Sequence, residues 1–355
     1  MFGNNPTQQL QPYLSVLVPG LIAFLVAFAL TPFWSNFLYR HKLGKQIRQG
    51  ATPIYTKLHQ EKKGTPTMGG VLIWASVLIV AIAGYLLAYF TDSKTLDSYN
   101  FLTRQQTLLP LGALIACALV GMLDDYLNIK KIGPFGGGLR VRHRLMIYAG
   151  IALVGALWFY FKLGWDVIHV PGVGDFSIGW WYIPFFMLVI IATSHSTNIT
   201  DGLDGLVGGV LLAAFGVFGV IAFVQHHLDL TAFCAAIIGA ILAFLWFNIH
   251  PARFFMGDTG SMALGTTLGI VAMLTNSALI LPIVGFVLVL ESGSVVLQIA
   301  SKKLRGGKKI FLSTPIHHHF EAKGWPETKV TMRFWIIAAV CGVIGLIIGL
   351  IGRGN

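Results

Sequence analysis

Ten runs of apolar residues, each 16–25 long, divide this chain at 14–38, 68–90, 107–123, 145–162, 180–195, 206–224, 231–248, 260–277, 279–300 and 333–352. A helix rises about 1.5 Å per residue, so roughly 20 apolar residues match the ~30 Å hydrocarbon core of a bilayer. The runs therefore predict an all-α integral membrane protein with about ten transmembrane helices. The eighth and ninth runs are parted only by Asn276 and Ser277, which makes that boundary the least defined. Composition agrees: 55% of the 355 residues are hydrophobic and 11% charged, against about 25% charged in soluble domains. Cys117, Cys234 and Cys341 lie inside apolar runs and show neither disulfide nor zinc spacing. Met1–Gln11 lacks the basic region and cleavage site of a removable leader, so the first run is expected to remain as a span.

The charges orient the bundle. With an even number of spans both termini share a side, and the odd-numbered loops then hold 21 of the 25 Lys and Arg. The positive-inside rule places those loops in the cytoplasm and both termini outside. A net charge of +11 could suggest nucleic acid, but basic residues lying along one membrane face predict a bilayer partner and no nucleic acid. The outer loops are short. Trp165–Trp180 alternates apolar residues around Pro171–Gly174, which predicts a small extracytoplasmic β-hairpin. Residues 1–355 read as a single polytopic domain, with a site built from cytoplasmic loops 40–67, 124–144, 196–205, 249–259 and 301–332.

Only 14 residues are acidic, and five of them end spans on the basic face. Asp124 and Asp125 close span 3, Asp201 and Asp204 lie in Asn198-Ile-Thr-Asp201-Gly-Leu-Asp204-Gly205, and Asp258 precedes span 8. Ionisable groups at the edge of a span are costly and usually functional. Adjacent helical side chains diverge by about 100°, so Asp124 and Asp125 cannot both present equally to one ligand. Asp258 suits either an N-cap or a hard cation such as Mg²⁺, which takes one or two carboxylates with phosphate oxygens. Lys62, Lys63 and Gly64 before Gly69-Gly70 suit phosphate, as do Arg140, Arg142 and Arg144 after Gly136–Gly138, although headgroup anchoring would explain the arginines equally. His317, His318 and His319 cannot readily chelate one metal, because successive side chains point apart. Glu291, inside span 9, either pairs internally or interrupts the helix near Gly293.

Five motifs together resemble the bacterial phospho-N-acetylmuramoyl-pentapeptide transferases (the translocase I family), among the polyprenyl-phosphate N-acetylhexosamine-1-phosphate transferases. They are Lys63–Gly70, Asp124-Asp125-Tyr126, Asn198–Leu206, Phe255–Ser261 and Pro315–Glu321, in the family's order along nearly the whole chain. The histidine triplet resembles the branch using a muramoyl-pentapeptide donor; a GlcNAc-1-phosphate transferase is the alternative, and a transporter is a more distant one. The resemblance implies transfer from UDP-MurNAc-pentapeptide to undecaprenyl phosphate, giving lipid I and UMP, with Mg²⁺, in a dimer of the cytoplasmic membrane. It implies Asp258 as metal ligand and Asp124 and Asp125 as the catalytic acids. Lys63, Asn198, Asp201, Gly202, Leu203, Asp204, Asn248 and Phe255 would form the nucleotide pocket, with Phe255 on the uracil. His317, as a further catalytic group, and His318 would line the far wall with Gln298.

Overall fold

A computed structural model describes residues 6–44, 62, 64–91, 93–103, 106–133 and 137–351. The long helices are α1 (Pro6–Arg40), α2 (Val71–Phe90), α3 (Leu108–Ile129), α4 (Val141–Leu157, continued by a π-turn), α5 (Tyr182–Thr200), α6 (Leu206–Val224), α7 (Leu228–Asn248), α8 (Asp258–Leu274) and α9 (Phe286–Leu304). A short helix α10 (Ile316–Ala322) and the long α11 (Glu327–Ile351) complete the order.

Among the described residues, eight helices are long and apolar enough to cross a membrane. A ninth span is a bent pair, Ala278–Val284 and Phe286–Leu304, turned by 80° at Gly285. The expected count of ten is thus met only if α8 is included, and α8 has 17 residues. Its sequence carries Thr259, Ser261, Thr266 and Thr267 because it touches protein rather than lipid: every residue from Thr259 to Leu274 is buried. By contrast, Phe33, Phe90, Trp246 and Ile336 are exposed on helices facing outward.

α8 is the post around which α3, α5 and α6 stand. Where the driving force of water is missing, helices associate through close packing of small residues and interhelical hydrogen bonds. Gly121 brings α3 onto the backbone of Asp258, and Gly265 and Gly269 bring α8 onto α5 at Ser194 and Thr193. Thr266 Oγ1 lies 3.0 Å from Ser194 Oγ and 3.3 Å from Cys117 Sγ. On the other side α1 packs along α7.

The predicted hairpin is present. Strands β1 (Val167–Val170) and β2 (Gly174–Ser177) pair antiparallel, from Val167 opposite Ser177 to Val170 opposite Gly174. At the opposite ends of the helices, loop backbones tie together what the sequence separates. Phe255 N–H donates to Pro66 O, and the Gly69 and Gly70 N–H groups donate to Phe255 O and Met256 O, each at 2.8 Å.

A side chain at position 239 has no room, since a Cβ there would fall 2.0 Å from the Gly20 carbonyl oxygen of α1. Gly239→Val should therefore destabilise the bundle by about 1–3 kcal/mol through overpacking. It should lower the melting temperature of the purified protein in detergent; an unchanged melting temperature would contradict this packing.

Candidate active site

The central cluster grows from three helix ends. Asp124 lies near the C-terminal end of α3, Arg144 in the first turn of α4, and Asp258 at the first residue of α8. Arg144 is buried and forms ion pairs through Nε with Asp124 Oδ2 at 2.6 Å and through Nη2 with Asp258 Oδ2 at 2.8 Å. Its Nη1 donates to Asn198 Oδ1 at 2.9 Å. Asn198 Nδ2 in turn donates to Asp258 Oδ1 at 2.6 Å and to Ser261 Oγ at 3.0 Å. A planar guanidinium with several fixed donors suits this three-way grip, and a lysine ammonium would not reproduce it.

The adjacent acids separate as the helical twist requires. Asp124 Oδ1 accepts the Leu139 N–H at 2.6 Å and its other oxygen meets Arg144. Asp125 turns away and accepts the N–H groups of Asp258 and Thr259, each at 3.1 Å. Asp125 thus takes the capping role that sequence alone offered to Asp258. A carboxylate at a helix N-terminus satisfies otherwise unpaired N–H groups and complements the dipole. Gly257, at φ +76°, is needed here: a Cβ would lie 2.5 Å from Asp125 Oδ2.

A second cluster lies across the α5–α6 loop. Lys62 Nζ contacts Asp204 Oδ1 at 2.7 Å and also Glu327 Oε1. Asp204 Oδ2 accepts from His250 Nδ1 at 2.9 Å and from the Ala252 N–H at 3.1 Å. Burial, the largest influence, pushes the Asp204 carboxyl up, but Lys62, the Ala252 N–H and His250 outweigh it and leave the group below the ordinary carboxylate range. Lys62 also stands 5.7 Å above the half-buried Phe255 ring. Asp201 and Gly202 are half-buried at this loop and Leu203 is buried beneath it. Lys63 lies outside the described residues.

The three histidines diverge as expected. His317 Nδ1 pairs with Glu291 Oε2 at 2.8 Å, His318 Nδ1 pairs with Glu321 Oε2 at 2.7 Å, and His319 Nδ1 accepts the Leu312 N–H at 3.1 Å. Glu291 therefore pairs internally, within an unbroken α9. A Cβ at Gly202 would fall 2.2 Å from His317 Nε2, so the histidine helix closes on the Asp201–Asp204 loop.

Two expected pocket residues also hold loop backbones. Asn248 accepts the Gly205 N–H at 3.0 Å and donates to Phe254 O at 2.8 Å, joining the loops on either side. Gln298 Oε1 accepts the N–H groups of Ile310 and Phe311, and its Nε2 donates to Phe311 O. The structure adds individual roles for Arg144, Lys62, Glu327 and His250, which the sequence does not set apart from their neighbours. Arg144 is the last of three alternating arginines and the one nearest an apolar run, and Glu327 is a lone acid opening the last span; both signals were present and weak.

The donor sets suit different cations. Around Arg144, two carboxylates and an amide oxygen leave one negative charge uncompensated by the guanidinium, a hard all-oxygen set of the kind Mg²⁺ takes. Ligand atoms of Asp204, His250 and Glu327 lie within 4.8 Å of one another, but this set includes an imidazole. Mg²⁺ therefore fits the Asp124–Asp258 cluster better.

Comparison with known proteins gives the family. The chain is 38% identical over 347 residues to the phospho-N-acetylmuramoyl-pentapeptide-transferase of Chloroflexus aurantiacus, covering 94% of this chain and 89% of the relative. It is 38% identical over 336 residues to the proteins of that name from Shouchella clausii and Bacillus thuringiensis, covering 93% and 94% of this chain and 96% and 98% of theirs. The chain belongs to the phospho-N-acetylmuramoyl-pentapeptide-transferase family. A signature of that family matches residues 62–73, which include Lys62 and the Pro66–Gly70 strap. The glycosyl transferase family 4 model matches residues 107–276, which run from α3 through α8 and include the whole Arg144 cluster.

Removing one partner of a buried ion pair costs about 3–5 kcal/mol. Arg144→Ala should therefore lose both activity and thermal stability in detergent. Arg144→Lys should restore stability in part and activity poorly, as read by melting temperature and turnover. Full activity in Arg144→Lys would remove the need for a forked donor.

Proposed function

We propose that this chain transfers phospho-MurNAc-pentapeptide from UDP-MurNAc-pentapeptide to undecaprenyl phosphate, giving lipid I and UMP. The carrying observation is Arg144 held between Asp124 and Asp258 at the meeting of three helix ends, in a member of this transferase family. The distribution of Lys and Arg supports placing that site at the cytoplasmic face of the bacterial inner membrane, with both termini outside. One polytopic domain, paired with a second copy in the membrane, belongs to the same reading.

In the reaction an oxygen of the lipid phosphate bonds to the β-phosphorus of the donor. The bond from that phosphorus to the bridging oxygen breaks, and UMP leaves with the electron pair. A phosphate monoester has a second pKa of about 6, so at neutral pH the nucleophile is largely dianionic and needs little help from a base. Catalysis then rests on alignment and on neutralising oxygen charge. Mg²⁺, held by Asp258 with Asp124 beside it, would supply part of that neutralisation. Arg144 contributes a fixed positive charge and orients both carboxylates. Asp125 caps α8 with both oxygens, which makes it a structural carboxylate in this reading and not the nucleophile of an aspartyl intermediate.

The nucleotide is assigned to the loop Asp201, Gly202, Leu203 and Asp204, with the Phe255 ring as a stacking face; Lys63 is assigned to it from its motif alone. Asn198 links that loop to the metal ligand Asp258. Asn248 and Gln298 act by holding loop backbones, and His317 and His318 bound the far side.

The test is UMP release by the purified protein from UDP-MurNAc-pentapeptide, with and without undecaprenyl phosphate and Mg²⁺. Release requiring all three components is expected, with little UMP–donor exchange in lipid-free protein. Robust lipid-independent exchange would overturn direct attack, and no release with the complete mixture would overturn the assignment.

A further inference from the structure

Glu291 and His317 are both wholly buried. Glu291 Oε2 meets His317 Nδ1, while Glu291 Oε1 and His317 Nε2 are buried with no hydrogen-bond partner. Among the described residues no lysine or arginine pairs with Glu291. His318 also lies against the pair, its ring centroid 4.1 Å from that of His317 and its own Nδ1 taken by Glu321.

An isolated charge in such surroundings is strongly unfavourable, so the pair is held net neutral. Three arrangements satisfy this. In the first, the carboxylate faces a protonated imidazole; in the second, the carboxylic acid donates from Oε2 to Nδ1 of a neutral ring; in the third, the acid carries its proton on Oε1 and accepts from the Nδ1–H of a neutral ring. The first two place a hydrogen on Nε2, whereas the third leaves there a lone pair that an anionic oxygen would repel. A carboxylate with a ring protonated only at Nδ1 leaves a net charge and two buried acceptors facing nothing.

We infer that Glu291 is a positioning residue that keeps His317 Nε2 a hydrogen-bond donor, aimed past Gly202 at a phosphoryl oxygen of the bound substrates. Gly202 is part of this device, since any Cβ there would collide with Nε2. An unpartnered donor beside the loop assigned to the nucleotide has an anionic oxygen as its natural acceptor. That oxygen belongs to the donor diphosphate or to the lipid phosphate. The inference rests on the proposed reaction, and UMP release by the wild type tests that reaction separately.

The experiment compares wild type, Glu291→Gln, Glu291→Leu, His317→Ala and the double variant Glu291→Leu/His317→Ala. Each is scored for kcat, for KM of UDP-MurNAc-pentapeptide and of undecaprenyl phosphate, and for melting temperature. Loss of one oriented donor typically lowers kcat by about 10²–10³-fold, and a loss of that order is expected for His317→Ala and Glu291→Leu. Glu291→Gln, which can still donate to Nδ1 but cannot support a charged ring, should fall between Glu291→Leu and wild type. Because Glu291 acts through His317, the double variant should be no slower than His317→Ala. A rise in KM confined to the nucleotide assigns the oxygen to the diphosphate, and one confined to the lipid assigns it to the lipid phosphate; either outcome supports the inference. Multiplicative losses in the double variant would overturn it. So would wild-type kinetics in a folded Glu291→Leu, or in Glu291→Gln if the leucine variant does not fold.

Discussion

One guanidinium holds three helix ends of this bundle to a fourth. Arg144 joins α4 to α3 through Asp124, to α8 through Asp258 and to α5 through Asn198. These helices could not bring two carboxylates together in a buried place without a cation between them, because like charges there repel and each is poorly solvated. A single Arg does not complete the neutralisation. The negative charge left over makes the cluster receptive to a hard cation and, through it, to a diphosphate.

The rest of the fold serves to place those helix ends. α8 is short and polar for a span because it is surrounded by protein; Gly121 lets α3 approach its backbone, and its own Gly265 and Gly269 admit α5. Its N-terminus is fixed by Asp125, and the preceding loop by backbone hydrogen bonds to Pro66, Gly69 and Gly70. The cost of keeping Asp125 beside Asp124 is thereby turned to use: one acid builds the helix start and the other pairs with Arg144. The α5–α6 loop then bridges this centre to the Lys62–Asp204–Glu327 cluster and to the Glu291–His317 pair.

Much of this was legible in the chain. Apolar run lengths located the helices, and a divergence of about 100° between neighbours foretold that Asp124 and Asp125 would part. The weakly defined boundary at Asn276 and Ser277 is where α8 ends and the bent ninth span begins. What sequence could not supply was long-range pairing. Arg144 looks like its neighbours Arg140 and Arg142 until α3 and α8 are seen beside it. Gln298 and Asn248 carry amides that would suit a ligand, and only the fold shows both ends of each amide bound to loop backbone. Glu327 and Glu291 are lone acids whose partners lie 123 residues away at Asp204 and 26 residues away at His317.

In the proposed function two acidic clusters divide the work, Asp258 with Asp124 serving the cation and the reaction, Asp204 with Lys62 serving the nucleotide. The most direct test is the Mg²⁺ dependence of UMP release in Asp258→Asn and Asp204→Asn. Asp258→Asn should abolish Mg²⁺-supported turnover at any Mg²⁺ concentration. Asp204→Asn should raise KM for the nucleotide while leaving the half-saturating Mg²⁺ concentration as in wild type. A shifted Mg²⁺ requirement in Asp204→Asn, together with near-normal turnover in Asp258→Asn, would contradict this division.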